Sequence, residues 1–491
     1  MQATAAVTGH HPFRMLWAMM VGFFLIVVDS TIVPVANPVI RNEFDATHAS
    51  VIWVTSAYLL TFAVFLLLGG RLGDRFGPKG VYVTGLALFT ASSLWCGLSG
   101  SIDMLIAGRV AQGVGAALLT PQTFSAITRT FPPERRGIAM SVWGATAGVG
   151  MLVGPLAGGV LVDGLGWQWI FLVNVPIGAV GIAVALRLVP ALPGRRYRLD
   201  TPGVLLSGAG VGLIVFALQE GQSHGWPWWV WGLITVGVGL LVVFVVWQSV
   251  QPGEPLIPLG LFGHRDFDLS NFGIAMVSFA TIGCAVPLMF YLQEVGGLSP
   301  TRAGLLTAPM AIATAVLAPV VGRIVDRVHP RLVVSSGFAL LATGLVWLSL
   351  EMEPATPVWR LVLPITVLGA AGALTWEPLA VIASRTLPAD LAGAGSAVYN
   401  AVRQVGAVLG SAGMAALMAS LIGREPGDPS ADFGDVAKGP FADAMSTSML
   451  LPASAAALGA IASLLFVGRR SSAVGAVPPV LGSKRDVGVA P

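Results

Sequence analysis

The chain has 491 residues, 55% hydrophobic and only 10% charged, with a mean hydropathy of +0.81 and a formal net charge of +3. Soluble domains carry about 25% charged residues, so this composition excludes a soluble globular protein. Apolar runs of the roughly 20 residues that cross a hydrocarbon core recur almost from end to end, which makes the lipid bilayer the solvent.

After a short polar start (1–14), the first apolar run, "MLWAMMVGFFLIVVDSTIVPVANPVI", is too long for a signal peptide and lacks a small-residue cleavage site, so it reads as a retained helix. Turn residues and charges then delimit about fourteen spanning helices, starting near Met15, Ser50, Gly80, Asp103, Gly137, Gln168, Thr201, Trp226, Phe267, Ser299, Arg331, Trp359, Gly393 and Met445. An even number puts both ends on one side. Most of the 27 Lys and Arg fall in segments on that side, so both termini are expected in the cytoplasm of a bacterial inner membrane. The segment 422–444 is then an external acidic loop, and 469–491 a disordered tail. The expected division is a cytoplasmic tail (1–14), a six-helix bundle (15–190), two linker helices with their preceding loop (191–250), a cytoplasmic connector (251–266), a second six-helix bundle (267–468) and the tail (469–491).

Several chemistries lack residues to run on. The two cysteines, Cys96 and Cys284, lie singly inside predicted spans, which suits neither a disulfide framework nor a metal site. All six histidines fall in tails or loops, and no G-x-x-x-x-G-K-[ST] nucleotide loop occurs. The reading is a membrane protein that is not an enzyme, with no cofactor, metal, nucleotide or nucleic-acid partner, and with a monomer expected.

The chain repeats itself. "GRLGDRFGPK" from Gly70 returns as "GRIVDRVHPR" from Gly322, and "RTFPPERRG" from Arg129 as "RTLPADLAG" from Arg385. Both separations are about 250 residues, or eight helices, which predicts two six-helix halves joined by an extra helix pair. "GRLGDRFGPK" resembles the loop motif of the major facilitator superfamily, and "VVDSTIVPVANP" is similar to the D-x-T-I-V motif of its fourteen-helix drug/proton antiporter branch. "RVAQGVGAA" resembles that family's R-x-x-Q-G-x-G-A, and "GMLVGPLAGG" its antiporter motif G-x-x-x-G-P-x-x-G-G. "WQWIFLVNVPIG" follows the family's W-R-W-I-F pattern with Gln168 in place of Arg. The resemblance covers nearly the whole chain. It implies an all-α membrane fold of about 14 helices and a secondary active transporter that exchanges protons for amphipathic drugs, cationic or lipophilic, by alternating access.

An acid at a helix centre costs about 2.5 to 3.5 kcal/mol on insertion scales, so intramembrane acids are informative. Only Asp29 and Glu377 lie well inside spans. Asp29 either bonds its neighbours Ser30 and Thr31 or carries a proton, and the resemblance favours the second. Glu377, beside Trp376 and Pro378, is either a cation-recognising acid in the substrate path that also takes part in proton coupling, or a water-exposed residue. Arg109, which has no counterpart in the second half, holds backbone carbonyls or acts on a nearby acid, and the resemblance implies a coupling role. Arg403 is a second buried cation of open role. Gly70, Asp74, Arg75 and Gly77, with the repeat's Asp326 and Arg327, are candidate gate residues, the acid capping a helix or pairing with an Arg of the facing half. Trp53, Tyr58, Phe62, Phe290, Tyr291, Trp376 and Tyr399 could line an apolar pocket or pack the core, and Tyr58, Trp376 and Asn400 are the favoured substrate contacts.

Gly150, Gly154 and Gly158 recur every four residues, which in lipid means close helix packing. The second half keeps Gly406 and Gly410 but replaces Pro155 by Ser411, Gly158 by Met414 and Gly159 by Ala415. Packing is therefore expected of both halves, and Pro155, Gly158 and Gly159 are expected to serve antiport. Three rival readings remain: export of an endogenous lipid or metabolite, a downhill facilitator, and a non-transporting sensor or scaffold.

Overall fold

The structure, a computed structural model, describes residues 12–131, 133–194, 200–251, 255–257, 259–325, 328–385, 392–421 and 438–467. Most of the predicted N-terminal tail, the predicted C-terminal tail and most of the acidic loop lie outside the described residues, while residues 12–14 of the first tail form the start of a helix. Fourteen helices among them are long and apolar enough to cross a membrane, and none of the described residues forms a strand. In chain order they are α1 (Pro12–Phe44), α2 (His48–Phe76), α3 (Pro78–Gly97), α4 (Ile102–Thr130), α5 (Pro133–Leu165), α6 (Trp169–Leu188), α7 (Thr201–Ser223), α8 (Trp228–Val250), α9 (Arg265–Val295), α10 (Pro300–Val325), α11 (Pro330–Glu351), α12 (Val358–Arg385), α13 (Ala392–Leu421) and α14 (Lys438–Ser463).

Local chemistry sets the boundaries. Thr47 and Ser101 cap α2 and α4 by accepting from the backbone N–H of Ser50 and Met104, and Pro78 and Pro330 open α3 and α11, where a missing N–H is harmless. α5 begins four residues before the expected Gly137 and α14 seven before the expected Met445. The α14 difference has a simple cause. Its first segment, "KGPFADAMSTS", is too polar to read as a span, and a break at Met449 separates it from the apolar remainder. α6 is broken at Val173, and α9 closes in a π-helical turn, Tyr291–Val295.

Packing reproduces the sequence repeat. In the first half α1 packs on α5, α4 on α2 and α3, and α3 on α6; in the second α9 packs on α13, α12 on α10 and α11, and α11 on α14. The halves meet along two seams, α5 with α10 and α2 with α13. The α7–α8 hairpin leans on α2 and α13, and α8 is mostly exposed to where lipid would lie. Asp200 anchors this hairpin, accepting from the Gly203 backbone (3.0 Å), Trp247 Nε1 (2.8 Å) and Gln248 Nε2 (2.6 Å). Burial pushes the Asp200 carboxyl up, but these donors outweigh it and hold the group below the usual carboxylate range.

The halves are tied at the end of the bundle away from Pro12 and Ser463. Arg41 pairs with Glu294 at 3.1 Å, Gln293 Nε2 donates to the Val35 carbonyl at 2.9 Å, and Asp163 accepts from the Thr301 N–H at 3.0 Å. The π-helical turn is what carries Gln293 and Glu294 toward α1. Ser56 and Ser411 share a hydrogen bond of 2.8 Å across the other seam.

Candidate functional site

α1, α3, α4 and α6 bring five polar side chains together inside the first half. Asp29 is fully buried, and its Oδ2 accepts from Arg109 Nη1 at 2.6 Å. The same nitrogen donates to Gln112 Oε1 at 2.6 Å, and Gln112 Nε2 donates to Asp29 Oδ1 at 2.9 Å, which closes a ring of three side chains. Gln112 Nε2 also donates to Ser93 Oγ (2.7 Å), which accepts from Asn174 Nδ2 (3.1 Å). Arg109 Nε donates to the Val54 carbonyl at 2.9 Å, and the guanidinium lies 4.1 Å from the centre of the Tyr58 ring. One cation therefore links α1, α2 and α4.

Asp29 is not satisfied by its neighbours: the Ser30 and Thr31 hydroxyls donate to the Val27 carbonyl instead. Arg109 is both things expected of it, a holder of a backbone carbonyl and the partner of an acid. Gln112, Ser93 and Asn174 were not singled out from sequence. Gln112 had a signal, since the R-x-x-Q spacing puts it one turn from Arg109 on the same helix face. Chemically, the cluster holds one acid and one cation in direct contact.

Glu377, on α12, has no ion-pair partner among the described residues. It is exposed, and a Cβ added to Gly144 of α5 would come 3.0 Å from its carboxylate, so it faces the other half across the seam. Trp376 packs against the second-half core and Asn400 is partly buried. Of the proposed pocket aromatics, Phe62 and Phe290 belong to the two cores, Trp53 donates to Glu220 at 2.9 Å, and Tyr291 donates to the Glu353 carbonyl. Those four are occupied structurally. A groove of about 590 Å³ on the outer face between α11 and α14 contains none of the site residues.

At the α2–α3 turn, Gly77 has φ +88°, a conformation that favours glycine, and an added Cβ would meet the Leu192 carbonyl at 2.5 Å. Asp74 pairs with Arg129 at 2.7 Å. Arg129 belongs to the same half, so Asp74 neither caps a helix nor reaches the facing half as expected. Arg75 lies over the Phe76 ring, and Gly70 makes only ordinary contact with Pro121. Asp326 and Arg327 lie outside the described residues.

The glycine stretch of α5 divides by face. Gly150, Gly154 and Gly158 lie against Val27, Thr31 and Ile32 of α1, and Gly406 and Gly410 lie likewise on α9. Gly158 therefore groups with packing inside the half, not with Pro155. Gly159 is pressed on Thr301, and the Pro155 carbonyl on Gly304, both across the seam to α10. Neither contact leaves room for a side chain. A Gly304→Val variant is expected to force α5 and α10 apart at this end. A cysteine at Asn37, which is 1% exposed, should then react several-fold faster with an impermeant maleimide in a protein whose own cysteines are serine. An unchanged rate would show that the seam does not control access.

The family model of the Major Facilitator Superfamily matches residues 19–411 and 271–483. An uncharacterized MFS-type transporter of Mycobacterium tuberculosis is 54% identical over 95% of this chain and 83% of its own length. The tetracenomycin C resistance and export protein of Streptomyces glaucescens is 32% identical over 84% and 77%. In fold, the chain is similar to a bacterial homolog of the human lysosomal transporter Spinster in an inward-facing, occupied conformation, with a TM-score of 0.63 at 18% identity over 93% of this chain and 97% of that one. With two pseudo-symmetric six-helix halves and a linker pair, the chain belongs to the Major Facilitator Superfamily and is a multi-pass membrane transporter.

Proposed function

We propose that the protein is a proton-coupled exporter of amphipathic small molecules, with Asp29 as its proton carrier. The buried Asp29–Arg109–Gln112 ring carries this reading: it is an ionisable acid held at membrane depth and wired to helices that pack against both seams. The similar tetracenomycin C protein, named for resistance and export, supports the outward direction. With the termini in the cytoplasm, the ties of Arg41–Glu294 and Gly304–Pro155 form the outer gate, and the cargo path opens inward. Protonation of Asp29 releases Arg109, loosens α1 from α4 and lets the α5–α10 seam part.

On the cytoplasmic side, Asp74, Arg75 and Gly77 act as a switching element. The Asp74–Arg129 pair is partly exposed, and such pairs are worth about 0 to 1 kcal/mol, so it breaks and reforms at little expense. Glu377, directed across the seam, recognises cationic groups of the cargo, with Tyr58, Trp376 and Asn400 as further contacts. Pro155 and Gly159 set how tightly the outer gate seals.

The test is transport by purified protein in proteoliposomes, with an imposed pH gradient and a panel of cationic, neutral and anionic amphiphiles. Cargo-dependent proton flux and uphill accumulation are expected. Cargo movement at the same rate with and without the gradient would make the protein a downhill facilitator, and no movement of any cargo would favour a sensor or scaffold.

A further inference from the structure

The second half holds a cation, within a span, that the proton cluster does not use. Arg403 lies on α13, and its Nε is enclosed with no hydrogen-bond partner. Among the described residues nothing accepts a hydrogen bond from it, and no carboxylate reaches ion-pair distance. A lone charge in a span is expensive to insert, and such residues face the bundle interior or a water-filled path.

Two phenols stand beside it. Tyr399 is one helical turn away on the same face of α13, 9% exposed, with its hydroxyl unpartnered. Tyr58 comes from α2 across the seam that α13 shares with it, and is fully buried, its hydroxyl likewise unpartnered. Arg403 acts electrostatically on both rings. Glu377 acts on Tyr399 but forms no ion pair with Arg403. The three unpartnered groups are alike in what they offer: a guanidinium has donors only, and each phenol has an O–H to give. Their complement is an anion with several lone pairs, and the Arg403 side chain is only partly enclosed, so such a group can reach it.

We infer that Arg403, with the Tyr399 and Tyr58 hydroxyls, receives a single oxyanionic group on an apolar body, and that the cargo includes organic carboxylates. The inference rests on the export reading for its setting and gives the path one site of each sign, Glu377 and Arg403. It also supplies a link to the proton cluster. The face of Tyr58 lies 4.1 Å from the Arg109 guanidinium, whose Nη1 is bonded to Asp29. A bound carboxylate is then one side chain away from the proton carrier.

The probe is a pair of molecules of one shape, 2-naphthoate and 2-naphthamide. Radiolabelled forms are dialysed to equilibrium against the full-length protein in phosphatidylcholine nanodiscs, with no pH gradient. Failure of proton coupling therefore leaves the readout intact. Wild type is expected to prefer the acid by about tenfold, the worth of one charge-assisted hydrogen bond. Arg403→Gln should erase that preference while still binding the amide, Arg403→Lys should keep part of it, and Tyr399→Phe should weaken it several-fold. Equal binding of acid and amide by wild type, or an undiminished preference in Arg403→Gln, would overturn the assignment. Should the Gln variant not assemble, an unchanged preference in both Arg403→Lys and Tyr399→Phe would overturn it as well. Phosphatidylglycerol discs distinguish a lipid source: if that lipid displaces 2-naphthoate through Arg403, the site holds a headgroup and the cargo assignment is wrong.

Discussion

Replacing Asp29 by Asn is expected to abolish uphill export driven by a pH gradient, while the protein stays in the membrane and downhill exchange of cargo persists. Asn keeps the volume of the side chain and stands for the protonated acid, which no longer carries the charge that holds Arg109. What it loses is the titratable proton. Each pH unit is worth about 1.36 kcal/mol per proton, so a one-for-one exchanger sustains about a tenfold cargo ratio for every unit of gradient. In proteoliposomes the Asn variant should reach equal concentrations on both sides whatever the gradient. A gradient-dependent ratio in that variant would move the proton to another residue, with Glu377 the next to test.

Arg109→Ala should be the most destabilising single change in the first half. Both partners of this pair are wholly enclosed, and removing one member of a buried pair costs about 3 to 5 kcal/mol because the other is left charged without compensation. The Ala variant also abandons the Val54 carbonyl and the Gln112 oxygen. Thermal unfolding in detergent should show the loss as a lowered midpoint. The double variant Asp29→Asn with Arg109→Ala should regain a large share of it, since no buried charge remains. Additive losses in the double variant would mean that the two side chains stabilise the fold independently. Arg109→Lys is expected to lie between, because an ammonium point charge lacks the fork that reaches Asp29 and Val54 together.

The architecture was legible because lipid simplifies the reading. Runs of spanning length, broken by caps such as Thr47 and Ser101 and by opening prolines such as Pro78, mark helices directly, and the paired loops at Gly70 and Gly322 reveal the repeat. Helix ends were misread where polarity hides a helix, as in the first segment of α14. In the site, Asp29 and Arg109 stood out as isolated charges in apolar runs. Gln112, Ser93 and Asn174 did not, because a neutral polar residue in a span is common and its meaning depends on which helices meet. The same limit explains Gly158 and Gly159. Consecutive residues of a helix point about 100° apart, so one packs on Ile32 within the half and the next on Thr301 across the seam. The spacing of a glycine stripe does not say which neighbour lies on which side. Asp74 shows it once more: a partner in the facing half and Arg129 in the same half are equally compatible with the loop's sequence.

The central claim is that cargo and proton exchange at Asp29, and proton release on cargo binding tests it without membranes or gradients. Purified protein in weakly buffered detergent near neutral pH is mixed with the cationic, neutral and anionic amphiphiles, and the pH is followed while binding is confirmed by tryptophan fluorescence. The account predicts that amphiphiles which bind release protons from the wild type and release none from the Asp29→Asn variant. Binding without proton release, or the same release from both proteins, would contradict it.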